Sequence, residues 1–299
     1  NITIASGGGY VGLPAATMAT LGGTITGAGS LTTFGAGTLA LSGANFFAGS
    51  LNLLAGSLLL SPVAGMISAL SGPVTGGGSL SIAGAGTVAL SGANAISGSL
   101  YLLGGSLLMS PLAGMTSTVS GTISGGGSLS IAGAGTVALS GANTFTGGLI
   151  LNSGSLSISS ALNLGGNALT FNSGSLFITA GTTISNAITV SGLANMGVAA
   201  NTTGTVSTNL TAGSVAIFGT GTLTLSGANS YGATVLSSGT LAVAGTNALG
   251  TGSLYFSGGT LQLTAGTTLA VQSVLGAAGG VFDVMGSNIL TITGTIGGL

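Results

Sequence analysis

The sequence predicts an all-β protein that folds as a parallel β-helix of about twelve coils. Three observations carry this prediction. A block of sequence returns at a spacing of 49 residues, large apolar and small residues alternate within it, and glycines separate the alternating stretches. An α-helix is disfavoured, because a glycine every few residues costs roughly 1 kcal/mol each time relative to alanine.

The repeated block defines the organisation of the chain. GAGTLALSGAN at 35–45 returns as GAGTVALSGAN at 84–94 and 133–143, and GTGTLTLSGAN follows at 219–229. We therefore predict one continuous solenoid over residues 1–299. Its units are 35–83, 84–132, 133–218 and 219–299, preceded by a partial unit at 1–34. Each 49-residue unit fits two coils of about 24 to 25 residues, and twelve coils at roughly 4.8 Å each would extend about 58 Å.

Short strands with an apolar and a small-residue face are predicted within each unit. Thr38–Leu41, 128–131 and 222–225 all alternate Leu, Ile or Val with Ser, Thr or Ala. This period of two is typical of strands that bury one face. The predicted inward positions include Leu41, Leu90 and Leu139. The predicted outward positions beside them are Ala40, Ala89 and Ala138.

The amino-acid composition of this chain excludes most kinds of enzyme chemistry. It has no Lys, Arg, His or Cys, and its single acidic residue is Asp283. Acid–base catalysis, metal binding and phosphate binding need side chains that are missing. We therefore predict that the chain is not an enzyme, has no cofactor or metal, and binds neither nucleic acid nor a small-molecule substrate. Asp283 is expected to bond backbone amides at a turn.

The repeated strings resemble a known family. GAGTVALSGANTFTGGLILNSGSLSI at 133–158 and GTGTLTLSGANSYGATVLSSGTLAVAGTNALGTG at 219–252 are similar to the autotransporter-associated β-strand repeat. That repeat occurs in passenger regions of proteins that Gram-negative bacteria secrete. The resemblance implies a right-handed parallel β-helix that is exported and displayed outside the cell. Passengers of this family normally carry many charged residues, and this chain carries one.

The asparagine that closes each repeat is the most regular polar position. We expect it to be a structural turn residue, because asparagine tolerates left-handed backbone and stacked amides can bond along a solenoid. These residues are Asn45, Asn94, Asn143 and Asn229. The aromatic or aliphatic residue two places later is expected to be core rather than a platform for sugars. These residues are Phe47, Ile96, Phe145 and Tyr231.

Two further sequence features receive structural or chance interpretations. Three Asn-X-Thr sequons, at Asn1, Asn201 and Asn209, are expected by chance in so threonine-rich a chain. Leu51–Leu70 and Tyr101–Val119 are apolar enough for a membrane-spanning helix. The first contains Pro62 and alternates as a strand in its leading half, and neither has flanking Lys or Arg. A membrane span is therefore not expected. No basic segment leads into an apolar stretch after Asn1, so we expect that any secretion signal has already been removed.

The absence of charge favours self-association as the function, because net charge keeps soluble proteins apart. The main hypothesis is a subunit of an extracellular filament, tube or sheath at the surface of a Gram-negative bacterium. The partner would be the chain itself, through lateral apolar contacts and head-to-tail stacking. The predicted assembly ends are Ile2, Ile4, Leu290 and Ile292. The alternative is a surface-displayed passenger or adhesin segment of an autotransporter-like protein.

Overall fold

The computed structural model describes residues 1–211, 213–244 and 248–298, and these form a parallel β-solenoid. The predicted fold class is confirmed. The chain divides into two compact units, Asn1–Leu156 with Leu162–Asn167, and Ser157–Ala161 with Ala168–Leu299. They are called unit 1 and unit 2 and are described separately. One continuous solenoid over residues 1–299 stays a prediction.

Unit 1 is built from strands of two to four residues. They are β1 (Ile2–Ile4), β2 (Gly9–Gly12), β3 (Met18–Leu21), β4 (Ile25–Gly27), β5 (Leu31–Phe34), β6 (Thr38–Leu41), β7 (Phe46–Phe47), β8 (Leu51–Leu53), β9 (Ser57–Leu60), β10 (Ile67–Leu70), β11 (Val74–Gly76), β12 (Ser79–Ile82), β13 (Thr87–Leu90), β14 (Ala95–Ile96), β15 (Leu100–Leu102), β16 (Ser106–Met109), β17 (Thr116–Val119), β18 (Ile123–Ser124), β19 (Ser128–Ile131), β20 (Thr136–Leu139) and β21 (Leu149–Leu151). At the boundary lie β22 (Ser155–Ile158) and the 3₁₀ helix η1 (Ala161–Leu164).

Successive strands of unit 1 occupy three faces in rotation. Face A has the order β1-β4-β7-β10-β13-β16-β19-β21, face B has β2-β5-β8-β11-β14-β17-β20, and face C has β3-β6-β9-β12-β15-β18. Each strand from β1 to β17 therefore pairs in parallel with the strand three places later. β19 pairs with β21, because no strand lies on face C between β20 and β21. One coil consists of three strands and three corners.

Unit 2 follows the same winding. Its strands are β23 (Leu169–Phe171), β24 (Ser175–Ile178), β25 (Thr182–Ile184), β26 (Ile188–Val190), β27 (Leu193–Val198), β28 (Thr203–Val206), β29 (Leu210–Thr211), β30 (Ser214–Gly219), β31 (Thr222–Leu225), β32 (Thr234–Leu236), β33 (Thr240–Val243), β34 (Leu254–Phe256), β35 (Thr260–Leu263), β36 (Thr267–Leu269), β37 (Ser273–Leu275), β38 (Val281–Val284), β39 (Leu290–Ile292) and β40 (Ile296–Gly298). Its longest sheet has the order β24-β27-β30-β32-β34-β37-β40, and a second has β25-β28-β31-β33-β35-β38.

Coils are shorter and more numerous than predicted. Leu39 pairs with Leu58 and Leu58 with Leu80, so successive coils advance by 19 and 22 residues rather than 24 to 25. Face B has seven strands in unit 1, the longest sheet of unit 2 has seven, and β22 adds one. The described residues thus make about fifteen coils, and the prediction of about twelve is wrong. Most corners between strands have only two to six residues, which makes the coils shorter than predicted.

The sequence repeat does not coincide with whole coils. The near-identical strands β6, β13 and β20 are seven strands apart, and at three strands per coil this is two and one third coils. They therefore fall on face C, face A and face B in turn. The prediction of two coils per 49-residue unit is corrected. Each motif rotates to the next face at every repeat.

Apolar ladders fill the inside of unit 1. On face C the residues in register are Leu39, Leu58, Leu80, Leu100 and Ile123, all at most 2% exposed. The predicted inward residues Leu41, Leu90 and Leu139 are also buried, each on a different face. Outward Ala89 and Ala138 are half-buried. Ala40 is buried instead, in register between Thr20 and Leu59 of the adjacent coils.

Stacked glycines form the corners between face B and face C. A Cβ placed on Gly98 would overlap the carbonyl oxygen of Gly78, one coil earlier. The same holds for Gly121 over Gly98 and for Gly141 over Gly121. Real Cβ atoms do not approach a carbonyl this closely, so alanine at these positions would force the coils apart. The corners therefore require glycine for close approach of backbones.

The two apolar stretches are strands and corners. Residues 51–70 contain β8, β9 and β10, and residues 101–119 contain most of β15 with β16 and β17. In the part of the chain that the structure describes, no helix is long and apolar enough to cross a membrane.

We predict that nitroxide labels at positions 81 and 101 broaden each other's continuous-wave EPR spectrum strongly. Ser81 and Tyr101 are in register on β12 and β15, and adjacent strands lie about 4.8 Å apart. The variant Ser81→Cys with Tyr101→Cys can be labelled at these sites alone, because the chain has no cysteine. The control pair, Ser81→Cys with Ser106→Cys, has the 25-residue spacing of the longer coil. Ser106 lies on face A, so stronger broadening in the control pair would refute the observed register.

Candidate functional site

Each asparagine that closes a repeat is buried inside the solenoid and bonds backbone. The exposed fraction is 0% for Asn45, 1% for Asn94, 6% for Asn143 and 7% for Asn229. In all four the side-chain oxygen accepts a hydrogen bond from the first backbone N–H of a strand in the preceding coil, at 2.8 to 3.1 Å. These donors are Ile25, Val74, Ile123 and Leu210. A buried amide that satisfies backbone groups stabilises the coil stack.

Asn94 shows how one side chain connects three coils. Its Oδ1 accepts from Val74 N at 2.9 Å, in the coil before. Its Nδ2 donates to the Gly92 carbonyl of its own corner at 2.9 Å and to Ser117 Oγ of the next coil at 3.0 Å. Ser117 is fully buried and in turn donates to the Gly92 carbonyl. This arrangement is called the asparagine clamp.

The clamp recurs in all four repeats, but its partner in the next coil changes from a serine to a backbone carbonyl in the last two. Asn45 bonds Ile25 and Gly43, and Ser68 Oγ accepts from its backbone N–H, as Ser117 does for Asn94. In the later copies a backbone carbonyl replaces the serine. Asn143 Nδ2 donates to the Asn163 carbonyl and Asn229 Nδ2 to the Ala248 carbonyl, both at 2.6 Å.

The clamps do not form the predicted ladder of stacked amides. Asn45, Asn94 and Asn143 lie at three successive corners, because each repeat advances by two and one third coils. None of the four asparagines has the left-handed backbone expected of it. Among non-glycine residues in the described ranges, only Ala16 and Asn201 have positive φ. Each asparagine bonds backbone rather than another clamp asparagine.

The residues that follow the clamps are core residues. Phe47, Ile96, Phe145 and Tyr231 are at most 2% exposed, so none presents a ring or chain to a sugar. The Tyr231 hydroxyl accepts a hydrogen bond from Thr234 Oγ1 at 3.1 Å. Burial raises the pKa of Tyr231 above its ordinary value, and hydrogen bonds from Thr234 and from the Gly250 backbone offset part of this rise. The ring therefore stays neutral at physiological pH.

Asp283 lies in a strand rather than at the predicted turn. It occupies an outer position of β38 and is half-buried. Gln262 Nε2, in register one coil earlier, donates to Asp283 Oδ2 at 2.9 Å. The turn prediction is wrong, because Asp283 pairs along the face instead of with its own corner. Within the described ranges no group of three or more metal-ligating side chains occurs.

The predicted assembly ends differ in exposure. Ile2 is 42% exposed and Ile4 is buried, both on β1, which pairs with β4. Leu290 and Ile292 are half-buried on β39, which pairs with β36. Head-to-tail stacking through these strands stays a prediction.

Six-residue corners are the surface feature that sequence reasoning missed. Residues 61–66 (SPVAGM) and 110–115 (SPLAGM) are longer than the other corners between β1 and β20, and they expose Val63 by 58% and Leu112 by 61%. We call them the corner loops. The first joins face C to face A and the second joins face A to face B, so they project from different corners. In the sequence, the proline and the extra residues between two strand patterns indicate these longer corners.

Unit 2 has an open cavity of about 380 Å³ beside its asparagine clamp. Its lining has no ionisable side chain, so it offers only amide, hydroxyl and backbone groups. The lining residues are Asn229, Leu249, Gly250, Thr251, Thr268, Leu269, Ala270 and Val271.

The fold and the clamps define a class of protein, the parallel β-solenoid. At its corners, glycine permits close approach of backbones and buried asparagine bonds backbone groups. Four stretches match the family model of the passenger-associated-transport-repeat, at residues 31–60, 83–109, 132–158 and 218–243. The predicted resemblance to autotransporter passenger repeats is confirmed, and the chain carries four such repeats. Neither the curated proteins nor the solved structures contain a match to this chain.

The matched stretches correspond to one complete coil with its closing contact. In the stretch 83–109, β13 begins the coil and β16 stacks on it, with Val88 in register with Leu107 and Leu90 with Met109. In 218–243, β31 and β33 stack in the same way. The asparagine clamp lies between the first and second strands of the coil. A match of about 27 residues therefore encodes the coil and the first strand of the next.

We predict that Asn94→Ala lowers the free energy of unfolding by about 2–4 kcal/mol. The change leaves the Val74 N–H without a partner in the core, at about 1–3 kcal/mol. It also removes the bonds from Asn94 Nδ2 to Ser117 Oγ and to the Gly92 carbonyl, which keeps its bond from Ser117. Urea unfolding monitored by circular dichroism measures the loss. The control is Asn52→Ala, which removes bonds to Thr32 and Thr75 on the outer side of face B. We expect it to cost less than about 1 kcal/mol, and equal losses would contradict the clamp.

Proposed function

We propose that this chain is a passenger region of an autotransporter-like protein, displayed at the surface of a Gram-negative bacterium. The observation that carries the proposal is the coincidence of the four family matches with coil-closing segments of a parallel β-solenoid. The repeats of this family therefore form and close the coils, which is the structural role expected of repeats in a passenger. In this proposal the solenoid is a scaffold without catalytic activity of its own.

The corner loops are the proposed contact surface of the passenger. Along the faces, outward residues are mostly small, half-buried and packed against the next coil, as Ala89 is. The corner loops instead expose Val63 and Met66 in one copy and Leu112 and Met115 in the other. Apolar side chains that project singly from rigid corners suit contacts with a protein or glycan surface. This is the adhesin alternative of the sequence analysis, with the contact assigned to loops.

The filament hypothesis gains no support from the fold or the family match. That hypothesis is based on the lack of charge, which leaves self-association through an apolar surface unopposed. In the structure most large apolar side chains of the strands point inward and are buried. The outward positions beside them are serine, threonine and alanine in strands such as β12, β13 and β19.

We predict that Ala64→Cys, expressed within the full gene product, reacts with a membrane-impermeant maleimide on intact cells. Ala64 is exposed at the tip of the first corner loop, and the native chain has no cysteine to interfere. The matched control is Leu58→Cys, at a fully buried position in the same unit. It should label only after denaturation, which shows that the displayed chain is folded.

Labelling of Ala64→Cys only after cell lysis would overturn surface display. Equal labelling of both variants on intact cells would instead show an unfolded chain and would remove the support for a passenger solenoid.

A further inference from the structure

We propose that Asn201 is an acceptor for N-linked glycosylation, taking a sugar from a phosphate-activated donor. The chain contains three Asn-X-Thr sequons, at Asn1, Asn201 and Asn209. Modified sequons lie in exposed loops, because the transferase must reach the amide. The inference goes beyond the proposed function, since it concerns one corner of unit 2 and holds wherever the chain is displayed.

Asn201 is held at the tip of a tight turn. It lies between β27 and β28, is exposed, and has left-handed backbone with φ of 57°. The base of the turn is fixed, because the backbone N–H of Thr222, in the next coil, donates to the Thr202 carbonyl at 2.9 Å. Thr203, which completes the sequon, is also exposed at the start of β28. Acceptor amide and sequon hydroxyl therefore both lie on the accessible surface of one rigid corner.

The Asn201 amide is unengaged, whereas those of the other two sequons are held. No hydrogen bond of the Asn201 side chain occurs within the described part of the chain. Asn209 Oδ1 accepts from Ala228 N at 2.9 Å, and Asn1 Oδ1 accepts from Thr24 N at 3.3 Å. An amide nitrogen becomes nucleophilic only when the amide rotates out of conjugation. A side chain with its oxygen fixed by backbone resists that rotation, and Asn201 does not.

The transfer requires nothing from this chain except the amide. Asn201 Nδ2 forms a bond to the anomeric carbon of the sugar, and the bond between that carbon and the phosphate oxygen breaks. The phosphate leaves with the bonding electrons. One proton leaves the nitrogen to a base of the transferase, because this chain supplies none beyond Asp283 and its termini. No oxidation or reduction is involved.

The left-handed backbone at Asn201 is a second, structural reason for asparagine at this position, and the test must distinguish it from modification. Asparagine tolerates this conformation better than most residues, and glycine tolerates it best. In the corner loops the left-handed position is glycine, at Gly65 with φ of 79° and Gly114 with φ of 77°. The variant Asn201→Gly therefore keeps the turn and removes the acceptor.

The test is mass spectrometry of the protein recovered from its native cells. Chymotrypsin replaces trypsin, which has no cleavage site in this chain. Asn201 and Asn209 lie on one chymotryptic peptide, residues 197–210, so fragmentation of that peptide assigns the site. We expect a sugar on Asn201, none on Asn209 and none on the peptide that contains Asn1. Asn201→Gly and Thr203→Ala should abolish the modification, and Thr203→Ser should retain it. Thermal unfolding of all three variants should match that of the parent chain.

An unmodified Asn201 peptide in the native material would overturn the proposal. So would modification at Asn209 equal to that at Asn201, because exposure and an unengaged amide would then not decide the site. Loss of the sugar in Asn201→Gly together with retention in Thr203→Ala would show a modification that is not sequon-directed, and would equally overturn it.

Discussion

Close approach of backbone at the corners is the constraint on which the rest of the solenoid depends. At the corner between faces B and C, Gly98, Gly121 and Gly141 stack above Gly78 so that each of the three would place a Cβ on the carbonyl of the coil before. Without a side chain there, strands of adjacent coils stay at hydrogen-bonding distance along their whole length. The core ladders and the asparagine clamps both need that spacing. Glycine at these corners is thus required by the stacking of the coils.

The step of two and one third coils distributes each structural device evenly around the solenoid. Because β6, β13 and β20 fall on three different faces, the clamps at Asn45, Asn94 and Asn143 secure three different corners. A repeat of two whole coils would have placed all of them at one corner and left the others without a buried amide. The same rotation points the two corner loops in different directions. In the proposed passenger role, the exposed apolar side chains of the corner loops would therefore face in more than one direction.

Sequence alone predicted the elements that depend on local pattern. Alternation in TLAL and TVAL identified Leu41 and Leu90 as core, because strand period is a property of a few adjacent residues. Coil length escaped prediction, since it depends on which strands pair, and a 49-residue repeat divides as readily into two coils as into seven strands. The clamp role of Asn94 was equally hidden, because Val74 and Ser117 approach it only through that register.

The most direct test of the central claim compares Gly98→Ala with Gly126→Ala. A Cβ at Gly98 would overlap the Gly78 carbonyl, whereas one at Gly126 would have no atom within 4 Å, and neither glycine has positive φ. We expect Gly98→Ala to lower the free energy of unfolding by about 1–3 kcal/mol or more, through forced separation of the coils. Gly126→Ala should leave it unchanged or raise it by about 0.4–1 kcal/mol. Equal stability of the two variants in urea unfolding would contradict the account.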